Sequence, residues 1–168
     1  MAESASTVPA LSDKAALVLQ TLRDRGARLV TAESCTGGLI AASLTAIAGS
    51  SDAVEGGLVT YSNAMKITVL GVAERTLDTH GAVSEAVAVE MAMGALDCAE
   101  DATIAVAVTG IAGPGGGTDA KPVGTVCLCV MHGTKNPMRE TAYFSGNREA
   151  VRLATVNRAF DMILNTLG

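Results

Sequence analysis

Residues 101–110 read DATIAVAVTG, a nearly continuous run of Ala and β-branched side chains. A strand with one face in water alternates apolar and polar residues, whereas this run has no polar face and is expected to be a central strand covered on both sides. Helices to supply the two covers are legible around it. LSDKAALVLQTLRDRG carries Leu and Ala at helical spacing, with an acidic first turn after Ser12 and Gly26 as its stop. TGGLIAASLTAIAG predicts a helix starting near Thr36 and ending at Gly49, AMKITVLG a short helix capped by Asn63, and ERTLDTHG a further helical turn. SEAVAVEMAMGALDCAE predicts a long helix opened by Ser84. Because it is apolar nearly all round, it is expected to face a sheet on one side and a helix on the other. In NREAVRLATVNRAFDMILNTLG, residues Val151, Ala154, Ala159 and Ile163 suit a docked final helix. The remaining strands are ARLVTAES, GGLVTYSN, VGTVCLCVMHG and RETAYFS, the last two joined through TKNP as a hairpin. The pattern predicts an α/β fold, a three-layer α/β/α sandwich on a mixed, mostly parallel sheet. It is expected to form one domain over residues 12–168 after a frayed segment 1–11.

Charge and composition narrow the function classes. The chain has 12 basic and 17 acidic residues, a net charge of -5, and no Lys/Arg cluster that would track a phosphate backbone. Two Tyr, two Phe and no Trp leave little for base stacking, so nucleic acid is not an expected partner. Gly and charged residues interrupt every apolar run before membrane-spanning length, and the N-terminus lacks a basic region followed by an apolar core. Cys35, Cys98, Cys127 and Cys129 show neither the C-x-x-C pairs nor the His neighbours that a zinc site requires, so no metal site is expected; no cofactor is expected either. Reduced thiols in a cytoplasmic setting are the simplest reading, and the Ala-rich surface is consistent with a homo-oligomer.

Four segments fall at strand ends, where open α/β sheets bind ligands: TAESCTGG, TYSNAMK, TGIAGPGGG and FSGNREAVR. The first sets Ser34 and Cys35 at a strand-to-helix turn, where Ser and Thr commonly serve as helix caps. A helix starting near Thr36 would direct its free N–H groups towards Ser34, and Gly37 and Gly38 would admit close approach of an oxyanion or phosphate. A serine needs a base before it becomes a useful nucleophile. His80 and His132 both fall in turns and read as structural. Lys66, in the first turn of a helix whose dipole disfavours an ammonium, is the better candidate, with the Tyr61 phenol close enough in sequence to relay a proton or hold the amine. Cys35 lacks a Cys/His/Asn pattern, so burial is its expected role. The glycine loop has neither the Lys-Ser/Thr ending of a P-loop nor a G-x-G-x-x-G opening a helix. Its backbone still offers N–H groups to an anion, with Arg148 as a forked donor nearby, while Arg152 reads as part of a solvated helix face.

The segments TAESCTGGLIA, GGLVTYSNAMK, HGAVSEAVAVEMAMGAL, TGIAGPGGG, KPVGTV and FSGNREAVR resemble, in order, the motifs of the CinA C-terminal domain family, from about residue 12 to the end. The chain is similar to the stand-alone form of that domain, whose enzymatic members are nicotinamide-nucleotide amidohydrolases. The resemblance implies metal-free hydrolysis of the carboxamide of nicotinamide mononucleotide to nicotinate mononucleotide and ammonia. Carried over by motif, the nucleophile is Ser34, with Lys66 and Tyr61 as the proton-transfer pair. Thr36, Gly37 and Gly38 are expected beside the oxyanion, and Thr109, Gly110, Gly113 and Arg148 around ribose and phosphate. Where the family commonly shows Gly-Asp-Arg, this chain has Gly146, Asn147 and Arg148, without the acidic side chain. The rival reading is a pyridine-nucleotide-binding module without catalysis, which ammonia release distinguishes. A dinucleotide oxidoreductase lacks its glycine fingerprint and acidic ribose partner.

Overall fold

The computed structural model of the chain describes residues 10–168. The segment expected to fray lies outside the described residues except for Ala10 and Leu11. The first helix, α1, spans Leu11–Asp24. It begins one residue before Ser12, and the residue ahead of it, Ala10, provides no side-chain cap. Then follow β1 (Leu29–Glu33), α2 (Leu39–Thr45), a single 3-10 turn at Ser50–Asp52, β2 (Val54–Val59), α3 (Asn63–Leu70), α4 (Glu74–His80), α5 (Glu85–Cys98), β3 (Ile104–Gly110), β4 (Thr125–His132), β5 (Met138–Tyr143) and α6 (Arg148–Leu167). Strand order is β2-β1-β3-β4-β5. β2, β1 and β3 are parallel, and β4 is antiparallel to both β3 and β5, so four of the five strands point the same way.

Alternation along the two inner strands builds the layers. Ile104, Val106 and Val108 of β3, with Val126, Leu128 and Val130 of β4, face α1, α2 and α6 through Leu19, Ile40 and Phe160. Ala105, Ala107, Cys127 and Cys129 face the opposite way, against Leu70 of α3, Leu77 of α4 and Met91 of α5. Bulky residues fill one side and small ones the other, which lets α5 lie close on the sheet with α3 and α4 outside it. The second contact is just as close: a Cβ on Gly94 of α5 would stand 1.9 Å from the Leu70 carbonyl oxygen. Small side chains here set the helix-to-sheet and helix-to-helix spacing.

The helix after β1 lies on one face of the sheet and the three between β2 and β3 on the other. The chain therefore reverses its winding between β1 and β3, the place where open α/β sheets leave a crevice beyond the strand ends. Parallel register places Glu33 beside both Val59 and Val108. As a result the turns after β1, β2 and β3 emerge side by side.

Candidate active site

Two backbone bonds carry this register past the strand ends. Thr60 N–H donates to the Glu33 carbonyl at 2.9 Å, and Ser34 N–H donates to the Val108 carbonyl at 3.0 Å. Ser34 and Thr60 are thereby neighbours. Beyond Thr60 the Ser62 hydroxyl, not Asn63, caps α3 by accepting from Met65 N–H at 3.1 Å. This fixes the first turn of α3 so that Lys66 points back under the ends of β1 and β2. Lys66 Nζ lies 2.9 Å from Ser34 Oγ, 2.8 Å from the Thr60 carbonyl and 3.3 Å from the Tyr61 carbonyl. The lysine is 1% exposed.

The chemistry of these partners is asymmetric. A carbonyl oxygen only accepts, so two carbonyls take two N–H donors from the amine, whereas a hydroxyl either donates or accepts. A neutral amine has two N–H groups and one lone pair. As an ammonium, Lys66 donates to all three oxygens, Ser34 Oγ included; as a neutral amine with both hydrogens on Thr60 and Tyr61, it would leave its lone pair for the Ser34 O–H. Burial pushes the Lys66 pKa below that of an ordinary lysine and so favours the neutral form, while neighbouring Cys35 acts in the opposite direction. Tyr61 enters through its backbone instead of through the phenol of the expected relay: the phenol accepts from Arg148 Nη2 at 3.0 Å on the solvent side.

The turn carrying Ser34 departs from the sequence reading. Gly37 and Gly38 adopt φ of 60° and 98°, in the left-handed region, so a helix cannot run through them and α2 starts at Leu39 instead of near Thr36. Its amide groups do not face the serine. Ile40 N–H donates to Glu33 Oε1 at 2.8 Å and Ala41 N–H to Oε2 at 3.0 Å. The Thr36 and Thr31 hydroxyls complete the carboxylate's partners, at 2.7 and 3.0 Å. Thr36, Gly37 and Gly38 thus shape the turn and do not line the cleft: Gly37 N–H donates to the Ser34 carbonyl, and the Thr36 carbonyl accepts from Arg152. Fully buried Glu33, the residue holding this turn together, carries no signal in the sequence that separates it from a solvated carboxylate.

A cleft of about 280 Å³ opens above the Ser34–Lys66 contact. Thr109, Gly110 and Gly113 line it, with Tyr61, Arg148 and Cys35. The Thr109 hydroxyl donates to the Ala82 carbonyl at 2.9 Å, which leaves its oxygen to act as an acceptor. Arg148 Nη1 donates to the Gly113 carbonyl at 2.7 Å, joining the glycine loop to the start of α6. Asn147 caps α6 by accepting from Ala150 N–H at 2.9 Å, a task that Asn and Asp perform about equally. Burial pushes the Cys35 thiol up to about 11, with the neighbouring Glu33 charge acting in the same direction. His80 closes α4 and His132 ends β4, and neither lines the cleft. Among the described residues no group of three or more His, Cys, Asp or Glu is placed to hold a metal ion, and no helix is long and apolar enough to cross a membrane.

The family model of the CinA C-terminal domain matches residues 11–167. The chain is 53% identical over 133 residues to a nicotinamide-nucleotide amidohydrolase, PncC, of Escherichia coli, covering 79% of this chain and 80% of that protein. It is 50% identical over 152 residues to a CinA-like protein of Mycobacterium marinum, where 90% of this chain spans 35% of the larger protein's length. Among solved structures, a competence/damage inducible protein of Agrobacterium tumefaciens superposes with a TM-score of 0.89 at 47% identity, covering 96% of this chain and 98% of that one.

Proposed function

The chain belongs to the CinA C-terminal domain family, and we propose that it hydrolyses the carboxamide of nicotinamide mononucleotide, giving nicotinate mononucleotide and ammonia through an acyl-enzyme on Ser34. The observation that carries this reading is the 2.9 Å contact between Ser34 Oγ and the amine of a lysine that is 1% exposed. A buried amine whose pKa is lowered, within hydrogen-bond reach of an alcohol, is suited when neutral to act as a general base at its nucleophile. The 53% identity to a protein of that activity supports the substrate.

In this mechanism Lys66 takes the Ser34 proton as Oγ attacks the amide carbon. The negative charge arrives on the former carbonyl oxygen. Since Glu33 occupies the amides of α2, the donor suited to that oxyanion is the backbone N–H of Cys35, the residue that follows the nucleophile and lines the cleft. One such donor is typically worth about 3–4 kcal/mol in the transition state. Collapse of the tetrahedral adduct passes the Lys66 proton to the departing nitrogen, which leaves as ammonia. Water then attacks the ester, Lys66 accepts its proton, and the released Ser34 recovers a proton from Lys66 as the carboxylate product departs.

The Tyr61 carbonyl holds the amine through both half-reactions, and its phenol, with Arg148, meets the nucleotide at the cleft mouth. The Thr109 oxygen suits a substrate N–H or ribose hydroxyl, and the N–H groups of Ala112 and Gly113, which line the cleft, suit the phosphate. Ser34→Ala is expected to abolish ammonia release from nicotinamide mononucleotide without changing the unfolding midpoint, and Cys35→Ala to retain turnover. Full activity in Ser34→Ala sinks the assignment. Saturable binding by the wild type without any ammonia identifies a binding module instead.

A further inference from the structure

The chain has only two tyrosines, and both rings are exposed, Tyr61 by 61% and Tyr143 by 69%. An aromatic ring left in water forgoes the stabilisation that its area gives when covered. Each of these rings stands at the rim of a cavity. Tyr61 belongs to the catalytic cleft; Tyr143, at the end of β5, borders a neighbouring cavity of about 340 Å³. Val83 lines both cavities and so stands between them.

The second cavity carries a set of polar groups that the hydrolytic reaction does not use. Lys121 reaches it from the far end of the glycine loop, giving one N–H to the His80 carbonyl at 2.7 Å and joining none of the ion pairs among the described residues. Its remaining donors are available to an anion. Glu85, at the start of α5, accepts from the Thr141 hydroxyl through Oε1 at 3.0 Å, while Oε2 has only a long contact of 3.6 Å with Arg139 Nε. A carboxylate oxygen with spare lone pairs suits ribose hydroxyls, as acidic residues do in dinucleotide folds. An exposed aromatic face accepts any nucleobase by stacking.

We infer that this cavity is a second nucleotide subsite, so that the two cavities flanking Val83 hold a dinucleotide with its nicotinamide half over Ser34. The second nucleoside stacks on Tyr143, its ribose meets Glu85 and its phosphate meets Lys121. The inference rests on reading the first cleft as a nicotinamide-nucleotide site. It concerns occupancy: a dinucleotide seated across Val83 excludes the mononucleotide and slows its hydrolysis.

The probe is nicotinamide adenine dinucleotide, added while ammonia release from nicotinamide mononucleotide is followed. Competition is expected, with apparent KM rising and kcat unchanged. Tyr143→Ala, whose side chain is mostly in water, and Lys121→Ala are each expected to raise the inhibition constant about tenfold while leaving KM for the mononucleotide as it was. Absence of competition at millimolar dinucleotide, or equal inhibition of wild type and both variants, overturns the subsite. Should the wild type release no ammonia, the hydrolase reading fails by itself. Calorimetric titration of the dinucleotide then decides the subsite, with weaker binding to Tyr143→Ala supporting it and equal or absent binding overturning it.

Discussion

Replacing Glu33 by Gln changes one carboxylate oxygen to NH2 at constant shape, so its cost is set by hydrogen bonding. The wild-type carboxylate serves four donors, with Ile40 N–H on one oxygen and Ala41 N–H on the other. Whichever way the carboxamide is turned, one of these backbone N–H groups faces the NH2. The two threonine hydroxyls can rotate to accept, but an amide N–H cannot. One buried N–H without a partner costs about 1–3 kcal/mol, and exchanging charge-assisted bonds for neutral ones adds about 1 kcal/mol. The expected loss is about 3 kcal/mol, which for a domain of this size lowers Tm by about 6–12 °C. Urea unfolding followed by circular dichroism reads the stability, and ammonia release reads the function. Since the same carboxylate anchors α2 and the turn bearing Ser34, kcat is expected to fall with KM retained. A loss below about 0.5 kcal/mol, the range of an inconsequential surface change, together with wild-type kcat, would refute the role given to Glu33.

Two further outcomes follow from the same geometry. Because Lys66 acts as a base only when neutral and its pKa is lowered by burial, kcat/KM is expected to rise with pH and to reach its plateau below the usual lysine value of about 10.4; a limb centred at or above that value contradicts the assignment. The same shift has a stability sign: a lysine pKa lowered in the fold penalises folding below the folded pKa, and the penalty is relieved as pH climbs towards the unfolded value. Wild type should therefore gain stability relative to Lys66→Met across that window, as measured by urea unfolding at several pH values. At the start of α6, Asn147→Asp is expected to keep both stability and turnover, whereas Asn147→Ala loses about 1 kcal/mol with the cap; a large loss in the Asp variant would show that the amide nitrogen of Asn147 matters too.

The parts of the fold legible from sequence are those where a residue type has one physical use. The run around Ile104–Gly110 has no polar face and is the buried middle strand, and Ser84 opens α5 by accepting from Val87 N–H. Caps were displaced where two residues share a propensity: Asn63 and Ser62 are both good caps, and only the chain's path out of β2 selects Ser62. α2 starts later than the pattern predicts because GG in a helical pattern reads either as a weak helix start or as a pair of left-handed turn residues, and only φ separates the two. The Ser34–Lys66 pairing was reachable because the chain contains few bases from which to choose. What tunes that pair was not, because the Thr60 and Tyr61 carbonyls are backbone atoms that any residue would present.

That contrast identifies which feature would suit the lysine to the role of base proposed for it. The first turn of α3 bears on Lys66 through the path it fixes, bringing the side chain to a place where two main-chain oxygens and one hydroxyl are its partners. A carboxylate in place of either carbonyl would stabilise the ammonium and remove the lone pair from use. The nearest such group by sequence, Glu33, precedes Ser34 directly, yet its oxygens are directed to the opposite side of the turn and occupied by α2 and two threonines. The helix start that the sequence assigns to the substrate instead serves to hold this negative charge away from the amine. The site therefore depends on a division of labour between two helix starts, one spent on Glu33 and the other positioning Lys66.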